Sequence, residues 1–263
     1  MKISNWLIIA AILPFAACQD PNAQGDETEH GAEASMLKYT LVPFSASQAY
    51  PDASLESMNY IDGHFEFGVS GDSYQLGVQT PDAGAKMCAN SAKGQHIHLI
   101  VDNEPYSAHY TEDFDYDMPD GTHYVLAFLS RSYHESIKTP QAYILEKVQA
   151  ENKNFTSSEE VTDPMLFYSR PKGTYTGHAE TDKVMLDFYL ANLELGSAYK
   201  VKAEINGEEH IIDEWKPYYI EGLPLGENTI KLTLIDGSGN PVNTPLNPVT
   251  RTFTLAADPA ESN

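Results

Sequence analysis

Beyond residue 36 the chain alternates apolar and polar positions in short runs, punctuated by Gly, Pro, Asn and Asp, with no sustained helical period. Such alternation predicts half-buried antiparallel strands, so the fold class is all-β. The pattern is also written twice. PheGluPheGlyVal at 65–69 corresponds to LeuAspPheTyrLeu at 186–190, and HisIleHisLeuIleValAspAsn at 96–103 to LysValLysAlaGluIleAsnGly at 200–207. Tyr110 corresponds to Trp215, and MetProAspGly at 118–121 to LeuProLeuGly at 223–226, each ProxxGly turn feeding a strand. Order and gaps persist over about 90 residues, the size of a duplicated sandwich unit. The expected architecture is two tandem immunoglobulin-like or fibronectin-like antiparallel β-sandwiches. The first covers residues 37–148 and the second 165–257; a polar, acidic stretch at 149–164 reads as their linker, and 258–263 as a tail.

The two copies differ in chemistry. If Ile97, Leu99 and Val101 face the core, His96 and His98 face the other way, where the second copy has Lys200 and Lys202. His109 stands against Glu214, His123 against Asn228, and His134 against Gly239 in a plain turn. Five of the nine histidines are thus additions to the fold. Tyr124, Leu126 and Phe128 also lie on the outward face, where the second copy has Thr229, Lys231 and Thr233. That apolar face needs a cover, for which the insertion at 78–94 is the first choice and the other domain the competitor. Antiparallel pairing of the strands at 96–101 and 124–129 would bring His96 and His98 close to Arg131, Tyr133, His134 and Glu135, with His109 and His123 at the far end.

The first 17 residues have a basic start at Lys2, an apolar stretch too short to span a bilayer, and Ala16 and Ala17 directly before Cys18. This resembles a bacterial lipoprotein signal, which implies cleavage before Cys18 and lipid attachment to it. Residues 18–36 are acidic and almost free of apolar side chains, a tether by composition. Gln19 is not the Asp that retains lipoproteins at the inner membrane in the enteric sorting rule. The expected location is therefore the outer membrane, with the membrane itself a partner through the lipid anchor. The formal net charge is −22, which removes the basic footprint that nucleic acid requires. The chain has two cysteines, Cys18 and Cys88, so a lipidated protein has no disulfide framework.

Two chemistries compete at the histidine-rich end. Arg131, in SerArgSer, and Arg170, in SerArgPro, are two of only three arginines, and a guanidinium flanked by hydroxyls suits a bidentate oxyanion contact. With His96, His98, Tyr133 and His134 they form the candidate ligand site. Alternatively His96, His98 and His134, with Glu135 as a fourth ligand, would hold zinc or copper. Met87 and Cys88 lack the spacing of a blue-copper site. Asp113, Asp115 and Asp117 lack the Gly and Glu of an EF-hand loop. No hydrolase elbow, zinc-protease helix or phosphate loop occurs, and Ser132, His134 and Glu135 lie too close together for a triad, so no enzyme activity is expected. The sixteen tyrosines leave a glycan-binding or purely structural surface protein as a third reading.

The segments AlaAsnSerAlaLysGlyGlnHisIleHisLeuIle at 89–100, TyrSerAlaHisTyr at 106–110, AlaPheLeuSerArgSerTyrHisGluSer at 127–136 and LeuPheTyrSerArgProLysGlyThrTyr at 166–175 resemble a family of Gram-negative lipoproteins described as phosphopeptide-binding proteins. That resemblance implies a peptide or protein partner, with Arg131, His134 and Arg170 as compatible residues. The function expected from the sequence is non-catalytic binding of an anionic ligand, a phosphorylated peptide among them, without a cofactor. The alternative is a zinc- or copper-binding envelope protein.

Overall fold

The computed structural model describes residues 38–259 except Met87; the signal segment, the tether with Cys18 and residues 260–263 lie outside them. The chain begins with β1 (Thr40–Pro43), β2 (Ser54–Ile61), β3 (His64–Ser70), β4 (His96–Val101), β5 (Ser107–His109), β6 (Asp113–Asp115), β7 (Gly121–Ser130), β8 (Tyr143–Glu151) and β9 (Asn154–Glu160). It continues with β10 (Met165–Arg170), β11 (Gly173–Thr176), a single helical turn α1 (His178–Thr181), β12 (Lys183–Ala191), β13 (Tyr199–Ile205), β14 (Glu208–Ile212), β15 (Tyr218–Glu221), β16 (Gly226–Asp236) and β17 (Val249–Ala256). The expected all-β class is what the chain adopts.

Four sheets form, in the strand orders β2-β3-β6, β5-β4-β7-β8-β9, β1-β15-β12-β10 and β11-β17-β16-β13-β14. The first two close one sandwich around Leu55, Tyr60, Phe65, Leu99, Val125 and Ala127; the last two close the other around Leu186, Phe188, Val201, Ile220, Leu232 and Phe253. Neighbours are antiparallel except β11, which runs parallel to β17 at the edge. The duplication is visible in the pairings. β4 meets β7 with His96 opposite Ser130, and β13 meets β16 with Lys200 opposite Ile235. Beyond each pair the chain makes the same turn: Arg131 N donates to Glu135 O and His134 N to Arg131 O, as Asp236 N does to Asn240 O and Gly239 N to Asp236 O. Two equivalences change, since Tyr110 moves with His109 and no longer answers Trp215. His109 lies opposite Ile97 as Ile212 lies opposite Val201, so His109 answers Ile212 rather than Glu214 and sits at the near end of β4, not the far one.

The boundaries also change. Residues 149–164 are not a linker: Gln149 to Glu151 complete β8, and β9 pairs with it from Glu146↔Glu160 to Glu151↔Asn154. Because β9 is an edge strand with mostly exposed side chains, its composition is that of a solvated segment. β1 pairs with β15, so the chain contributes a strand to the second sandwich before it starts the first.

The apolar outward face is covered by the other sandwich, not by the 78–94 insertion. Leu126 and Phe128 pack with Met165, Phe167, Tyr189 and Ala191, while Tyr124 is partly buried against the same cluster. This third apolar layer stacks the sheet of β4 and β7 on the sheet of β10 and β12. Both faces of β4 are therefore buried, and all six of its residues are. His96 and His98 do point away from the first core, but into an interface and not into solvent.

Candidate metal centre

Strand alternation and one turn assemble the site. His96 and His98 project from β4 on the face of Ile100, and both are fully buried. His134 arrives from the turn after β7, where its backbone takes φ of 68°, the conformation that Gly239 adopts in the second copy with φ of 87°. A non-glycine residue pays steric strain there, a feature that concentrates at functional positions. The 78–94 insertion buttresses this turn: Ser132 N donates to Thr80 Oγ1 at 2.9 Å, and Ser91 N to Ser132 O at 2.8 Å.

Three ring nitrogens converge. His96 Nε2 lies 2.8 Å from His98 Nε2 and 3.0 Å from His134 Nδ1, and the last two are 3.3 Å apart. A circle through them has a radius of about 1.8 Å, so an ion about 2.0 Å from each would sit about 0.9 Å out of their plane, close to three corners of a tetrahedron. An outer partner fixes which nitrogen of His96 faces inward. His96 Nδ1 is 2.8 Å from Gly94 O, which can only accept; Nδ1 therefore carries the proton and Nε2 presents its lone pair. His98 Nδ1 is 3.5 Å from Ser169 Oγ of the second sandwich. The Tyr106 ring lies on His98 at 3.7 Å between centroids and 13° between planes, and its hydroxyl is 3.3 Å from His134 Nδ1. Tyr110 leans against His96 and is held by Ser91, 2.7 Å from hydroxyl to hydroxyl.

Electrostatics keep the group unprotonated. Burial pushes His96 down to about 4 against the opposing Gly94 carbonyl, with the Arg170 charge adding to the shift. Burial likewise drives His98 and His134 well below the usual imidazole range, helped by their ring neighbours and by Arg170. A neutral imidazole can offer one ring nitrogen as a ligand, so burial leaves all three residues in the form that a cation requires.

The other expected site residues stand elsewhere. Arg131 Nε and Nη2 donate to Gln48 O at 3.0 and 2.6 Å, and Nη1 donates to Ser136 O, so this guanidinium fastens the turn and is not presented to a ligand. Glu135 pairs with Arg131 at 3.5 Å and accepts from Ser47 Oγ. Among the described residues the group of convergent ligand atoms holds His96, His98 and His134 without Glu135, which corrects the four-ligand expectation. Tyr133 is buried against Phe44 with its hydroxyl on Asp82. Arg170 is buried on β10, donating from Nε and Nη2 to Tyr175 Oη. His109 stacks on Phe114 and His123 pairs with Asp102, and neither belongs to the convergent group. Cys88 is a half-buried thiol that burial pushes up to about 11, and Met87 lies outside the described residues. Tyr106 and Ser169 were not singled out from the sequence: Tyr106 reaches the group from the turn before β5, and Ser169 from the other sandwich.

No protein-family profile matches the chain, nor does any curated protein sequence. Among solved structures it is similar to the fibronectin(III)-like modules of Clostridium thermocellum CbhA, at 11% identity over 86% of this chain and 97% of that one, with a TM-score of 0.29. It is also similar to a Ca2+-stabilized adhesin by which an Antarctic bacterium binds ice, at 14% identity over 82% of this chain but 50% of that one, with a TM-score of 0.24. A third is Bacteroides ovatus SGBP-B, of a mixed-linkage glucan utilization locus, in complex with a heptasaccharide: 8% identity, 83% and 70% coverage, TM-score 0.20. These are similarities of fold alone.

Proposed function

We propose that the protein binds a zinc- or copper-class cation through His96 Nε2, His98 Nε2 and His134 Nδ1. The observation that carries this reading is the convergence of three inward-facing ring nitrogens within 3.3 Å of one another. Burial favours the neutral, ligating form, and imidazole suits both metals. The reading is of a binding protein, not an enzyme. With a lipid on Cys18 it would place a metal site in the cell envelope. A phosphopeptide site built on Arg131 has less support, because that guanidinium is engaged by backbone carbonyls.

Titration of zinc(II) and copper(II) into the purified protein tests this. The wild type is expected to bind one equivalent, and the double substitution His96→Ala/His98→Ala to lose more than about 100-fold in affinity. Arg131→Ala should lower stability and leave metal affinity within about threefold. Wild-type protein that takes up neither ion would overturn the reading.

A further inference from the structure

The three imidazoles leave a tetrahedral ion one position short. We propose, resting on the metal reading above, that this position takes a small exogenous anion, held between the ion and the buried guanidinium of Arg170, with the Tyr106 hydroxyl as a second donor.

The first observation is an unanswered donor. Arg170 is 4% exposed, yet its Nη1 is buried without any hydrogen-bond partner, and no carboxylate among the described residues pairs with it. In a chain of net charge −22 an unpaired buried guanidinium is conspicuous, because an uncompensated buried charge is costly. The second observation is its orientation. The ladder between β10 and β12 shifts register between Tyr168 and Arg170, so Arg170 stands opposite Asp187. Asp187 faces the first sandwich, since its Oδ2 accepts from Ser136 N at 3.0 Å. Residues directly opposite in an antiparallel pair share a face. Arg170 therefore lies on the interface side together with Ser169, whose hydroxyl reaches His98, as expected where a bulge re-aims a side chain. That Arg170 acts electrostatically on all three imidazoles agrees with this placement.

A dication and a guanidinium in one dry interface repel each other unless an anion lies between them. A carboxylate from the chain would serve, but Glu135 and Asp187 are both held by other partners. An anion from solution remains, and it must be small, because His96 and His98 are fully buried and His134 is only partly exposed.

Tyr106 fits the role of donor, not of ligand. Its ring is nearly parallel to that of His98, and stacked planes lie about 3.5 Å apart. The metal bound to His98 lies near that imidazole plane, so the Tyr106 oxygen cannot approach to about 2 Å without breaking the stack. It can donate to whatever fills the vacant position. Lys172, with Nζ 4.0 Å from the centre of the Tyr106 ring on its other flank, adds positive potential.

The test uses full-length protein loaded with copper(II) and titrated with azide, followed by the azide-to-copper charge-transfer band, with bicarbonate as competitor. Wild type is expected to bind azide and release it to bicarbonate. With each protein first saturated with copper, Arg170→Met should raise the azide Kd about tenfold or more, and Tyr106→Phe about threefold or more. If Arg170→Met does not fold, Tyr106→Phe carries the test alone. Copper-loaded wild type without an azide band, or substitutions that leave the azide Kd unchanged, would overturn the anion site while leaving the metal site standing. Failure of wild type to bind copper, seen before any azide is added, would overturn both.

Discussion

His134 concentrates the cost and the use of the site in one position. Its φ of 68° is one that glycine adopts freely, and Gly239 occupies the same turn in the second sandwich. His134→Gly should therefore keep the metal-free protein as stable as wild type, or more stable by up to about 1 kcal/mol, while metal affinity falls at least 100-fold, to about the level of a two-ligand site. Thermal unfolding in chelator beside metal titration separates the two effects; a variant that unfolds more easily and still binds would contradict the assignment. His96 carries a pH dependence. Its folded-state pKa, about 4, lies below the unfolded value of 6.5, so between those values the unfolded chain binds more protons. Its contribution is complete above pH 6.5 and is lost as the pH falls toward 4. Denaturant midpoints of metal-free protein should decline over that interval, and the decline should be shallower in His96→Gln.

At the scale of the strand, much was legible because burial on one face leaves an alternating trace. Ile97, Leu99 and Val101 against Val125, Ala127 and Leu129 could be read from the sequence, and so could the turn that aligns His134 with Gly239. What defeated the reading was burial on a second face. Nothing in HisIleHisLeuIleVal says that a different sandwich lies over the histidines, and from the sequence the insertion at 78–94 is the first choice of cover. The edge strand β9 misled in the opposite sense, since a strand with few buried residues has the composition of a linker. Arg131 and Arg170 looked alike in sequence, but a bulge turns Arg170 to the interface while Arg131 closes on Gln48. The duplicated strands give an internal comparison. Leu126 and Lys231 are equivalent positions of β7 and β16, the former fully buried and the latter paired with Glu204 at 2.8 Å near the surface. Leu126→Ala should cost about 2–5 kcal/mol and Lys231→Ala less than about 1 kcal/mol in urea unfolding. Equal costs would mean that the two sandwiches do not pack on each other through this face.

At the scale of the molecule, three apolar layers join four sheets among the described residues, and the histidine group lies at the margin of the middle layer. The three histidines belong to the first sandwich, but Ser169 and Arg170 come from the second, so an ion bound as proposed should be felt by both. Calorimetry is expected to give a single transition that metal moves upward, by about 2.7 kcal/mol when free metal is 100 times its Kd. Two resolved transitions, of which metal moves only one, would show that the halves unfold separately. The placement of β1 on β15 has its own consequence. The later sandwich is finished by a strand synthesised before the earlier one. A truncation that begins at the first sandwich proper, after Pro43, would strip the border strand from the other half and leave the hydrogen-bonding groups of β15 open to a neighbouring molecule. Cutting the gene between the repeats therefore cannot yield two whole modules, and soluble fragments should be sought only when Thr40–Pro43 is carried with the second repeat.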